Sequence, residues 1–381
     1  MATAGHRALG VAAAGGSRVL AHAAGGGQRL SEGAAVVSET NPDLSKVRLS
    51  IVGISGEAHV GAHFLAAARQ LGVEVQFLDA NAAQARSRLV RALLWRLGRR
   101  PARLGAFSRE AVRRAVEFET THLLTTGFAP VSGAGLEELR LCGITSLNFL
   151  TDDPWNRAQF SPWFLKVLPR YDTVFSPRRA NLEDLRAHGC RAVSYLPFAY
   201  HPELHFPAEG ASLAERAAEV LFAGGADQDR LPSVRALLAA GLNVALYGGY
   251  WDRQADLRPQ AHGIADLATL RRVTPAAKLV LCLVRRANRD GHAMRTFEVP
   301  AMGGCMLAED TVEHRELLGP DGECAAYFSD TDDMIQAARR LLSQPAERAR
   351  MAAAAHARIT GGGHTYADRL RTMLDSSWRE G

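Results

Sequence analysis

Met294-Arg295-Thr296-Phe297-Glu298-Val299-Pro300-Ala301-Met302-Gly303-Gly304-Cys305-Met306-Leu307-Ala308-Glu309 is the stretch whose reading decides the fold. It reads as one or two helical turns, a Gly-Gly break and an apolar strand. Pro300 suits the first turn of a helix, where its missing N–H is not needed. Gly303 and Gly304 end that helix and let the chain turn sharply. Arg295 and Glu298 are three apart and share a helical face. A cation and a carboxylate ahead of a glycine turn suit a ligand with phosphates and hydroxyls. A surface ion pair on an ordinary helix is the competing reading.

Working outward, residues 278–284 form a buried-type strand just before this stretch. Earlier still, Glu219-Val220-Leu221-Phe222-Ala223 is a strand, Gly224-Gly225 its turn, and Arg230 and Arg235 lie in the helix that follows. Residues 243–249 give the next strand and turn. After the opening stretch come a short strand at 325–328, helices over 331–342 and 346–357, and an amphipathic helix over 364–378. The amino-terminal half has the same grammar. Residues 47–54 form a strand, 55–61 a turn, 63–71 a helix capped by Gly72, and 73–78 a strand. Strand, helix, strand is a βαβ unit, so the sheet is expected to be parallel. Only Gly53 and Gly56 fall in the first turn, which does not make a dinucleotide fingerprint. Residues 84–118 read as two Arg-rich amphipathic helices broken at Pro101. They form either a solvated outer face or a contact with an anionic membrane surface. Strands at 121–127, 143–149 and 171–177 follow, then a helix over 181–188 and a last strand at 193–197. A polar segment over 201–215 reads as the linker.

The chain has 381 residues, long enough for two domains, and 47% hydrophobic residues, enough for two cores. Lys and Arg number 45 against 40 acidic residues, a net charge of +5. That suits an anionic small ligand, and no run of like charge makes a nucleic-acid arm. Five scattered cysteines, none at metal-ligand spacing, imply free thiols in a reducing compartment. No apolar run reaches the roughly 20 residues a membrane helix needs. A cytoplasmic location is expected. Residues 1–45 are Ala/Gly-rich and lack periodicity, and read as a disordered leader. The expected division is a leader over 1–45, an acceptor-side domain over 46–204, a nucleotide-side domain over 205–358, and a carboxyl-terminal helix over 359–381 packing back on the first domain.

Four constellations carry chemistry. Gly224 and Gly225 allow close backbone approach to a phosphate, and Arg230 can add a bidentate contact. Glu298 can accept both hydroxyls of a ribose cis-diol while Arg295 neutralises a departing diphosphate. Asp152 and Asp153 sit at the carboxyl end of a strand, where ligands of parallel sheets bind. They can bind sugar hydroxyls, serve as a general base or hold a metal, or simply form an Asx turn before Pro154. His59, in the first turn, can act as an acid/base group or stay a solvated loop residue. The acidic group Glu309-Asp310 with Glu313-His314 is either a helix cap or a donor-sugar contact.

These residues together resemble the spore-maturation (CgeB-like) branch of the group 1 glycosyltransferases. The resemblance runs from about residue 47 to the end. Its most specific part is Arg295-Thr296-Phe297-Glu298 through Gly303, with Ala308-Glu309-Asp310-Thr311 and His314-Arg315-Glu316-Leu317. Asp152-Asp153-Pro154, Tyr171-Asp172, Phe222-Ala223-Gly224-Gly225 with Arg230, and His364-Thr365-Tyr366 extend it. The resemblance implies a GT-B fold: α/β, two Rossmann-like domains whose parallel sheets face a central cleft. It implies transfer of a sugar from a nucleotide-sugar to an acceptor, with no cofactor and no metal required. Arg230, Arg295, Glu298, Gly224, Gly225 and Gly303 would form the nucleotide side, and Asp152, Asp153 and His59 the acceptor and catalytic side. Glu298 matches the second of the family's two glutamates, the one that binds ribose. The first would fall at Gly291, a departure that leaves a nucleotide-sugar-binding protein without turnover as the alternative.

Overall fold

A computed structural model describes residues 44–375, apart from 58, 97 and 209–217. The leader expected over 1–45 and the last residues of the expected carboxyl-terminal helix thus lie largely outside the described residues. The first half comprises β1 (Arg48–Gly53), α1 (Val60–Gln70), β2 (Glu74–Asp79), α2 (Arg88–Arg96), α3 (Leu104–Glu117), β3 (His122–Thr126) and α4 (Gly133–Leu141). It continues with β4 (Thr145–Phe149), α5 (Pro162–Leu165), β5 (Thr173–Ser176), α6 (Leu182–Ala187) and β6 (Val193–Tyr195). The second half comprises β7 (Val220–Ala223), α7 (Leu231–Ala239), β8 (Val244–Tyr247), α8 (Leu267–Ala276), β9 (Leu279–Cys282), α9 (Arg295–Ala301) and β10 (Met306–Glu309). After these come α10 (Val312–Leu318), β11 (Ala325–Phe328), α11 (Thr331–Ser343), α12 (Pro345–Gly361) and α13 (Tyr366–Leu374).

Each half is a parallel sheet with helical crossovers. The first has six strands in the order β2-β1-β3-β4-β5-β6, the second five in the order β11-β10-β9-β7-β8. Leu49 opposite His122 and Val220 opposite Leu279 set the central registers. In both sheets the strand order reverses once, between β1 and β3 and between β7 and β9. Parallel sheets open a crevice at such a reversal, beyond the carboxyl ends of the strands.

The two cores are continuous. Leu196, Phe198, Ala199 and Tyr200, just after β6, are buried in one apolar cluster with residues of both sheets. The segment expected as a polar linker, 201–215, follows directly, and His201 and His205 within it are buried too. The chain closes back through a short parallel bridge between Tyr200 and Thr365. Thr365 then caps α13 in a capping box with Asp368. From α13, Tyr366 stacks on His63 and meets Phe64 edge-on, both on α1. Burying each large side chain such as Phe64 or Phe297 contributes roughly 1.5–3 kcal/mol.

The opening stretch forms the helix and strand expected of it, with one correction. Pro300 lies at the sixth residue of α9, not in its first turn. The chain tolerates it because α9 stops one residue later, and Gly303, at φ +79°, makes the turn that follows.

Candidate functional site

A cleft of about 1110 Å³ opens where the carboxyl ends of the two sheets face each other. From the second half it is lined by Gly224 and Gly225 after β7, by Arg230, and by Arg295 and Glu298 on α9. From the first half come His59, Thr126, Gly127 and Asp152. Residues more than 200 positions apart thus share one wall system because both switch points point into the same space.

Arg295 and Glu298 do share a face of α9 and form an ion pair. Arg295 also donates through Nε to the carbonyl of Ala223 at 3.1 Å, which ties α9 to the glycine turn. Glu298 is almost wholly buried, at 2% side-chain exposure, so its charge depends on this partner. Arg230 sits over the ring of Phe222 and donates to the carbonyl of Gly225 at 3.0 Å. The two guanidinium groups flank the end of β7, each beside a carboxylate: Arg230 lies 3.2 Å from Asp227, and Arg295 pairs with Glu298.

The structure separates the paired aspartates. Asp152 lines the cleft, accepting from Asn288 at 3.2 Å and lying 3.5 Å from Arg285. Asp153 turns away from it. Its carboxylate accepts from the Trp155 N–H at 2.9 Å, closing an Asx turn, and from Arg289 Nε at 2.6 Å. Asp153 is therefore saturated and buried outside the cleft lining. His59 stands exposed at the mouth, just before α1. Gly303 lies apart from the lining and packs toward Pro207, so its part is to end α9. Among the acidic group, Glu309 ends β10 and accepts from the Val284 N–H at 2.6 Å, and Thr311 caps α10.

Several site residues carried no signal in the sequence. Asp290 reaches the cleft one residue before Gly291. It pairs with Arg178 of the first half, both side chains being below 10% exposed. Burial raises the Asp290 carboxyl above its ordinary value, against the pull of Arg178. Behind the cleft, His292 accepts the Phe198 N–H on Nε2 at 3.2 Å and donates from Nδ1 to Glu313 at 2.5 Å. Glu313 also accepts from the Arg179 N–H at 3.2 Å and the Tyr195 hydroxyl at 3.3 Å. Burial pushes His292 down, which keeps it neutral. Burial alone would raise Glu313, but the His292 bond and the other donors hold it below the usual carboxylate range. Residues 285–292 thus form a segment of the second half that the first half holds at Arg285, Asn288, Arg289, Asp290 and His292.

The comparisons bear on the fold. Residues 230–375 match the family model described as glycosyl transferase-like. No curated protein matches. Among solved structures, the sucrose-phosphate synthase of Thermosynechococcus elongatus superposes with a TM-score of 0.63 at 14% identity, covering 86% of this chain and 98% of that one. HepE of Anabaena, in complex with UDP-glucose, gives 0.59 at 12% identity over 86% of this chain and 98% of that one. The UDP-forming α,α-trehalose-phosphate synthase of Burkholderia vietnamiensis gives 0.59 at 12% identity over 88% and 100%. The fold is that of the GT-B glycosyltransferases. The stretch from Arg230 onward, which holds Arg295 and Glu298, is the part that matches the glycosyl transferase-like model.

Proposed function

We propose that this protein is a glycosyltransferase that moves a sugar from a nucleotide-sugar to a hydroxyl-bearing acceptor. The observation that carries the reading is the cleft itself, where Arg230, Arg295 and Glu298 of one half face Asp152 and His59 of the other. Cleaving the bond between sugar and diphosphate builds negative charge on the leaving group. Arg230 and Arg295 offer fixed positive charge beside the Gly224-Gly225 turn, where the diphosphate can approach the backbone, and fixed donors aimed at developing charge lower the barrier. On this reading the two arginines do the work of neutralisation without a metal. Glu298 takes the ribose, and Asp152 and His59 face the acceptor. The spore-maturation branch remains the family likeness that the Arg295-to-Gly303 stretch suggests.

The departure at Gly291 leaves a binding protein without turnover as the alternative. Asp290 weakens that alternative, because it supplies a carboxylate to the same wall one residue earlier. The test is nucleotide release from a panel of nucleotide-sugars with and without candidate acceptors, with Glu298→Ala as control. Release that depends on acceptor and is lost in the control supports transfer. Tight binding with no release in any mixture supports the binding protein.

A further inference from the structure

The helices α2 and α3 are both Arg-rich and lie in different surroundings. Phe107, Ala111, Val112 and Ala115 of α3 are buried in the core of the first half. Arg113 of α3 pairs with Glu110 and Glu117 on the same helix. α3 is thus an outer helix with its apolar side inward and its charges balanced. α2 is the opposite. Leu89, Val90 and Leu93 are 83%, 45% and 57% exposed. Spacings of three and four residues put Leu93 on the same helical face as the other two. No described residue of α2 belongs to any of the apolar clusters of the two halves. A helix of nine residues is marginal in water by itself and is held mainly by what its apolar face packs against. Three exposed aliphatic side chains on one such face make it an interaction face.

The charge around α2 decides what it meets. Between Asp79 and Glu110 the chain has eight arginines and no acidic residue. The other residues hold 37 basic (45 less these eight) against 40 acidic, so the excess positive charge of the chain sits here. Arg86, Arg96 and Arg100 are exposed and pair with no carboxylate among the described residues. An anionic lipid surface offers phosphates to the arginines and an acyl boundary to Leu89, Val90 and Leu93. A nucleic acid answers the charge and leaves the aliphatic side chains in water. A second copy docked face to face answers the aliphatic side chains and sets arginines against arginines. At about 13 Å, α2 is far shorter than the roughly 30 Å hydrocarbon core, which suits it to lie in the interface and not across it.

α2 also adjoins the cleft. Gln84 before it and Arg99 and Pro101 after it line the cleft, as Asp152 and His59 of the same half do. Arg99 donates to the carbonyl of Phe160 at 2.7 Å, and Trp163 Nε1 donates to the carbonyl of Arg99 at 3.2 Å. These bonds tie the end of α2 to the cleft wall, and Phe160 is itself exposed.

We propose that α2 and its flanking arginines seat this protein on an anionic lipid surface, with the first-half side of the cleft beside the lipid. Docking of this kind presents the cleft to hydroxyls borne by the membrane, a consequence that rests on the reading of the cleft as a glycosyltransferase site.

The experiment is flotation of the full chain with vesicles of phosphatidylcholine alone and of equal parts phosphatidylcholine and phosphatidylglycerol, at low and at raised salt. Binding to the mixed vesicles is expected to be roughly tenfold tighter or more than to the neutral ones, and to weaken with salt. Leu89→Gln with Leu93→Gln keeps the charge and the helix propensity, and is expected to bind roughly tenfold more weakly. Arg96→Gln with Arg100→Gln keeps the apolar face, and is expected to lose about as much. Thermal midpoints of the variants confirm that they fold. No flotation, or equal flotation with both vesicles, overturns the proposal and leaves the glycosyltransferase reading standing, since nucleotide release is measured without lipid. Native-like binding by either variant overturns the assignment to α2. Retention by a nucleic acid without flotation assigns the arginines to that partner and overturns the proposal. So does a dimer, without flotation, that Leu89→Gln with Leu93→Gln dissociates. Flotation as expected with no nucleotide release in any mixture overturns the glycosyltransferase reading alone.

Discussion

The carboxylate of Glu313 lies where a side chain at Gly291 would begin, since a Cβ there would stand 2.4 Å from Cδ of Glu313. The absence of a side chain at 291 and the buried position of Glu313 are therefore one arrangement. Gly291→Ala is expected to destabilise the protein by about 1–3 kcal/mol, the usual cost of overpacking. Gly291→Glu is expected to cost more, because it sets a second carboxylate against the first. Urea unfolding midpoints measure both. An unchanged midpoint in either variant would show that Glu313 moves aside freely.

The pair between Arg178 and Asp290 crosses from one half to the other with both side chains buried. Removing one partner leaves an uncompensated charge. Arg178→Met is expected to lose about 3–5 kcal/mol, and Arg178→Met with Asp290→Asn to recover part of it. A double-mutant cycle in urea tests this, and additive losses would mean that the two residues do not act as a pair.

Glu298→Gln keeps the shape of the side chain and removes its charge. Arg295 then loses its ionic partner and, on the proposed reading, the ribose loses its acceptor. Nucleotide affinity is expected to fall at least tenfold, with the thermal midpoint of the free protein moving much less than the affinity. Titration of the variant against the native chain decides the point. Equal affinity would remove Glu298 from the nucleotide side of the cleft.

Acid should weaken the fold before the carboxylates titrate. Burial lowers His63 and His205 to about 3 and His314 and His364 to about 4. An unfolded histidine takes a proton near pH 6.5, so below that pH the unfolded chain binds more protons than the folded one. The stabilisation from keeping these rings neutral is complete above about pH 6.5 and is lost as pH falls toward 4 and 3. Each ring contributes on the order of 1.4 kcal/mol per pH unit within its window. Thermal midpoints between pH 7.5 and 4.5 should fall steadily, and a flat profile would contradict neutral buried rings.

Much of the fold was legible because the signals for parallel sheets are local. Each half restarts with an apolar strand and a glycine turn, and β1, β7 and β9 follow directly from such runs. Arg295 and Glu298 were legible for the same reason, since a spacing of three places them together on any helix. Pro300 was misplaced because its ring suits the start of a helix, while a short helix also accepts it near the end. Asp152 and Asp153 look equivalent as neighbours, and what separates them is the Asx turn that Asp153 closes with Trp155 together with the contacts to Asn288 and Arg289. His201 and His205 lie in a stretch that reads as polar linker, and the ring packed against both is His63 of α1, far away in sequence. Asp290 draws its role from Arg178, more than 100 residues earlier. Contacts across that distance leave no periodic trace.

The segment over 285–292 has a consequence for modularity. Its residues belong by chain order to the second half, yet Arg289 answers to Asp153 and Asp184, Asp290 to Arg178, and Asn288 to Asn156. The two halves are therefore not interchangeable parts. A chimera that joins this second half to the first half of a relative keeps the family-matching region intact and still misplaces Asp290, unless the residues that receive 285–292 travel with it. The seam for successful recombination runs around this segment and away from the apparent linker.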